Sequence, residues 1–89
     1  MTSCTPVKRS DLAVREVEGE LLILDQRGGR IHKFNHSAGL VWEFCDGSHS
    51  TEQIISRVAQ EYGVPIETVR GDVVGTIANL VELGLLENE

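Results

Sequence analysis

Aromatic residues are scarce in this 89-residue chain, limited to Phe34, Trp42, Phe44 and Tyr62. A core must therefore be assembled from Leu, Val and Ile, with Trp42 as its largest piece. No window approaches the ~18 apolar residues of a membrane-spanning helix, and Met1 to Ser10 holds no apolar stretch of signal-peptide type. These absences lead us to expect a soluble cytoplasmic protein. Cysteine occurs only as Cys4 and Cys45, far apart and in no Cys-x-x-Cys pair, which points to reduced structural thiols. The three histidines, His32, His36 and His49, share no ligand spacing with Cys or paired carboxylates, so no metal is expected. There is no Gly-x-Ser-x-Gly elbow, phosphate loop or dinucleotide fingerprint, so neither an enzyme activity nor a bound cofactor is expected.

Positive charge is also scarce where a nucleic-acid reader would need it. Up to Phe34, six basic residues face five acidic ones, a net +1; from Asn35 onward only Arg57 and Arg70 oppose nine carboxylates, a net −7. Such an acidic second half repels phosphate backbones and argues against a nucleic-acid partner.

What is present suits one small α+β domain. At 9.8 kDa the chain supports one core, expected over residues 11–89, after a flexible tail over residues 1–10. Leu12 and Val14 alternate with Ala13 and Arg15, and Glu18-Gly19 is a hairpin turn. Leu21 to Leu24 is apolar on both faces, which predicts a central strand covered on both sides. Asp25 to Gly29 supplies turn residues and returns the chain into a third strand, Arg30 to Phe34, with neither face cleanly apolar, as suits an outer strand. Asn35 or Ser37 can cap a helix carrying Ala38, Val41, Trp42 and Cys45 and ending at Asp46-Gly47. Ser50 to Gln53 has capping-box spacing, ahead of Ile54, Ile55, Val58, Ala59 and Tyr62, with a stop at Gly63. Pro65 opens a third helix with Ile66, Val69, Val73, Ile77 and Leu80 as its stripe and Gly84 as its stop. Three strands followed by three helices predict a winged-helix-like fold with a three-stranded antiparallel sheet.

Two features remain unabsorbed. Gly71 and Gly75, each costing about 1 kcal/mol in a helix interior, form with Val74 and Ala78 a low-relief strip. It suits either close packing within the domain or one wall of a peptide groove. The basic third strand is likewise open to two readings: its charges guard a solvated edge, or the edge accepts an added peptide strand. On the second reading Arg27, Arg30 and Lys33 attract an acidic peptide, while Ile77, Ala78 and Val81 floor its apolar pockets. The same edge equally supports a homodimer by strand pairing.

The run Phe34-Asn35-His36-Ser37-Ala38-Gly39-Leu40-Val41-Trp42-Glu43-Phe44-Cys45-Asp46-Gly47 resembles the Leu-Asn…Ala…Trp-Glu-Leu…Asp-Gly signature of the pyrroloquinoline quinone biosynthesis protein D family. Thr51-Glu52-Gln53-Ile54, Glu61-Tyr62-Gly63-Val64, Asp72-Val73 and Leu83-Gly84-Leu85-Leu86 continue the likeness in order. The resemblance implies a non-catalytic winged-helix element that binds the leader of a ribosomally made precursor peptide and presents it to a modifying enzyme, often of the radical S-adenosylmethionine type. It also implies that the leader adds as a strand along Arg30, Ile31, His32, Lys33 and Phe34, in a cleft closed by the third helix around Arg70, Val74, Ile77, Ala78 and Val81. Two other readings stand beside it: a winged-helix DNA-binding regulator or general protein-interaction domain, and a domain detached from a larger enzyme assembly that positions a partner enzyme without leader specificity.

Overall fold

The computed structural model describes residues 6–87. In chain order its elements are β1 (Val7–Lys8), β2 (Ala13–Val17), β3 (Glu20–Asp25), β4 (Arg30–Phe34), α1 (His36–Phe44), α2 (Thr51–Tyr62), α3 (Ile66–Glu82) and β5 (Leu86–Glu87). Glu18 and Gly19 both take positive φ, 52° and 80°, the backbone of a tight hairpin whose twist matches the strands it joins. In the next turn Gly28 donates its amide to the Asp25 carboxylate at 3.1 Å. These two turns produce an antiparallel sheet in the order β2-β3-β4.

Register decides which side chains meet the helices. Ile23 pairs with Val14 and His32, and Leu21 with Glu16 and Phe34. Alternation along a strand therefore sends Ile23, Leu21, His32 and Phe34 to one face and Leu22, Leu24, Ile31 and Lys33 to the other. Ile23 is fully buried in the core, with Leu21 and Phe34 packed against it. The strand Leu21–Leu24 is central, as expected, but is covered on one face rather than two. Leu22 and Leu24 are only half-buried and Ile31 is 70% exposed, because all three helices sit on the Ile23 side.

The helices begin and end where their capping chemistry dictates. Asn35, not Ser37, caps α1, its side chain accepting from the Ala38 amide at 2.9 Å while the Ser37 hydroxyl donates to it at 3.1 Å. Ser50 and Gln53 close a reciprocal capping box at α2, an arrangement in which the cap alone contributes about 1 kcal/mol. Val41, Trp42, Cys45, Ile54, Ile55, Val58, Ala59, Val69, Val73 and Leu80 form the helical part of the core. Tyr62 and Ile66, expected on buried stripes, lie at helix ends and are exposed. The Cys45 thiol donates to the Val41 carbonyl at 3.2 Å, and burial pushes its pKa up to about 11, so it stays a protonated, packing thiol. Cys4 lies outside the described residues.

The chain's beginning departs from expectation. Residues 1–5 lie outside the described part, but Val7 and Lys8 pair antiparallel with Glu87 and Leu86 where a tail was expected. A two-residue strand has no periodicity to read. Arg9 braces this junction: its guanidinium donates to Asp11 at 2.6 and 3.0 Å, to Asp25 at 3.2 and 3.3 Å, and to the Gly84 carbonyl at 2.8 Å. Hydrogen bonds from Arg9 hold the carboxyls of Asp11 and Asp25 below their usual range, with the Gly28 amide assisting at Asp25. A depressed carboxylate stabilises the fold above its unfolded pKa, about 4, and that contribution is lost as pH falls through the folded value. Arg9→Met is therefore expected to lower the urea midpoint at neutral pH and to flatten the loss of stability below about pH 4. An acid limb as steep as that of the unaltered protein, followed by circular dichroism, would count against this clamp.

Candidate functional site

β4 is an edge strand whose only ladder partner is β3, so along its other side the backbone faces no strand among the described residues. Such an edge presents unpaired amides and carbonyls ready to accept another strand. Beside it, where β4 turns into α1, opens a hollow of about 420 Å³ lined by Lys33, Phe34, Asn35, Ser37, Ala38, Asp72 and Thr76. The Asn35 cap, accepting from the Ala38 amide, sets the corner between strand and helix. Asp72 and Thr76, one turn apart on α3, form the opposite wall.

The basic residues of the edge are unequally engaged. Lys33 pairs with Glu20 at 3.1 Å and Arg27 leans towards Asp11 at 3.7 Å. Arg30 stands opposite Asp25, whose carboxylate is already held by Arg9 and the Gly28 amide, and Arg30 forms no ion pair among the described residues. His32, opposite Ile23, stacks 6.4 Å from Phe34 and keeps its Nε2 buried without a hydrogen-bond partner.

The α3 residues expected to close the cleft are elsewhere. Val74, Ile77, Ala78 and Val81 line a separate hollow of about 360 Å³ with Pro6, Thr51, Leu86 and Glu87. At 100° per residue they occupy the flank of α3 roughly opposite Asp72 and Thr76, with the buried stripe Val69, Val73 and Leu80 between. Arg70 belongs to that second flank and is tied to Glu52 at 2.8 Å. Gly71 and Gly75 face open space among the described residues, where a Cβ built on either meets nothing within 4 Å. The sequence reading missed Asn35, Ser37, Ala38, Asp72 and Thr76 as groove residues. The available signal was the flank of α3 left over once the apolar positions had been taken.

Neither flank of α3 carries a basic cluster among the described residues. Arg70 is engaged by Glu52, and Arg57 lies 5.6 Å over the Phe44 ring, while Glu67, Asp72 and Glu82 add negative charge to α3. Among the described residues no cluster of His, Cys, Asp and Glu is arranged to hold a metal ion, and no helix is long and apolar enough to cross a membrane.

The fold itself recurs in solved structures. TbiB1 in complex with the TbiA(beta) leader peptide superposes with a TM-score of 0.78 at 20% identity, over 91% of this chain and 94% of that one. The lasso peptide synthetase B1 complexed with the leader peptide gives 0.78 at 22% identity, over 93% and 98%. The PqqD truncation of Methylobacterium extorquens PqqCD, a stand-alone recognition element for ribosomally synthesised and post-translationally modified peptides, gives 0.75 at 21% identity, over 92% and 87%. Curated protein sequences contain no match. The family model of coenzyme PQQ synthesis protein D (PqqD) matches residues 20–86. That match takes in β3, the edge strand β4 and all three helices, and on it the chain belongs to the PqqD family.

Proposed function

We propose that this chain is a non-catalytic recognition element that captures the leader of a ribosomally made precursor peptide by strand addition along β4. The domain hands the leader to a modifying enzyme, which we take to be of the radical S-adenosylmethionine type. The observation that carries the reading is the open edge of β4 beside a groove walled by α3. Main-chain hydrogen bonds at such an edge supply affinity, and the side chains of the groove supply selectivity. Family membership supports it, as do the leader peptides seated on two proteins of this fold. The same reading puts the protein in the cytoplasm, where precursor peptides are made.

A homodimer through β4 uses the same edge and competes with the leader. Backbone amide shifts of the isotopically labelled protein, titrated with a synthetic leader from a precursor peptide encoded beside this protein, test the proposal. Shifts centred on residues 30–34 with the protein remaining monomeric support it; shifts confined to the α3 flank of Val74 and Ala78 overturn it.

The ion pairs rank the basic residues. Arg30→Glu is expected to weaken leader binding more than Lys33→Glu, because reversing Lys33 also removes a cation already neutralised by Glu20. Calorimetric titrations at low and high salt read this directly. Equal losses from the two variants would remove Arg30 from its special place.

A further inference from the structure

Two charges around the β4 groove have no ion-pair partner among the described residues. One is Arg30 at the hairpin end of the strand; the other is Asp72 on the α3 wall, beside Phe34 and Thr76. Among the described residues the neighbouring charges are engaged: Lys33 with Glu20, Asp25 with Arg9, and Arg27 more loosely with Asp11, which Arg9 also holds. Arg30, His32 and Phe34 share the face turned towards the helices, so an added strand lays alternate side chains beside them. Phe34 stands four positions beyond Arg30, a span of about 13 Å along a strand. The strand edge therefore carries an unpaired positive charge at its hairpin end, while the hollow at its other end, outside which Arg30 lies, holds the carboxylate of Asp72 beside Phe34.

Resting on the leader-binding reading, we infer that this groove selects leaders by a bipolar charge pattern. The preferred leader carries an acidic side chain that meets Arg30. Four positions away on the same face it carries a lysine or arginine, whose aliphatic stem lies along Phe34 and whose charge meets Asp72. An apolar residue stands between them, beside His32. Charge-assisted hydrogen bonds at both ends fix register as well as affinity, because a slip of one residue turns both charged side chains to the opposite face. The order of the two charges along the leader follows from the direction in which it runs against β4, so one order fits and its reverse does not. Arg30 and Asp72 are on this account the residues that determine specificity. The competing account is that Arg30 merely guards the edge and Asp72 merely offsets the amino end of α1.

Random dodecapeptides displayed on phage, selected against the immobilised protein and then against Arg30→Glu/Asp72→Lys, decide between the two. The expected result is enrichment of an acidic and a basic residue four positions apart. Those peptides should bind about tenfold more tightly than versions with Gln and Ser at the charged positions. The double variant should enrich the exchanged order. Enriched peptides that shift the amides of residues 30–34 but lack the charge pair, or a double variant with unchanged preference, overturn the charge pattern and leave leader docking standing. Enriched peptides that leave those amides unmoved, or no enrichment at all, overturn both.

Discussion

Replacing Thr76 with tryptophan is expected to weaken leader binding by about a hundredfold or more, whereas Ala78→Trp leaves it within about twofold. Both positions lie on α3 a half-turn apart, but Thr76 lines the hollow beside Phe34 and Ala78 lines the one beside Leu86. An indole at Thr76 fills the space a leader side chain needs; one at Ala78 projects towards Pro6 and Thr51. Because Thr76 is half-buried, Asp72→Trp at the exposed end of the same wall serves as a second blocking variant whose fold is easily preserved. Fluorescence anisotropy of a labelled leader, with circular dichroism as the check on folding, gives the comparison. If Ala78→Trp blocks and the Thr76 and Asp72 variants do not, the leader uses the other flank of α3.

The largest effect on stability is expected at Trp42. It is 3% exposed, sits in the core and carries the Lys8 ammonium 5.6 Å from its ring. Truncating a buried aromatic to alanine costs about 3–5 kcal/mol, through lost transfer energy and the cavity left behind. Set against a total of about 5–15 kcal/mol for a domain of ordinary stability, Trp42→Ala places the fold near its threshold. Trp42→Phe, which keeps most of the volume, is expected to cost clearly less. Urea unfolding followed by far-ultraviolet circular dichroism is the appropriate measurement, since the variants lack the fluorophore. A loss below about 1 kcal/mol for Trp42→Ala would mean that α1 is not anchored through this side chain.

Sequence periodicity revealed the helices because their signals are local. Asn35, the Ser50-Gln53 box and Gly63 each act within a few residues of the boundary they set, and the structure places the helix ends beside them. The hairpin at Glu18-Gly19 and the edge position of Arg30 to Phe34 were legible for the same reason. What escaped the sequence depends on distant partners. The pairing of Val7-Lys8 with Leu86-Glu87 joins segments almost a whole chain apart, and Arg9 reaches three separate places that no window contains. The one-sided cover of Leu21–Leu24 reflects where the helices dock, not what the strand is made of. Of the candidate site, the edge position of β4 was legible through its mixed faces and charge, but the flank of α3 beside it was not. The apolar residues Val74, Ile77, Ala78 and Val81 looked like a groove, whereas the groove beside β4 is walled by Asp72 and Thr76.

The short pairing of β1 with β5 has a consequence for how the domain can be joined to other proteins. It brings Val7 and Glu87 together as cross-strand neighbours, so the first and last strands of the described fold lie at one spot. Domains with adjoining ends can be spliced into a surface loop of another protein, or rejoined end to end and reopened elsewhere, without pulling the core apart. β1 and β5 form a sheet of their own, apart from the ladder that holds β4, so a join made next to them does not use the open side of that strand.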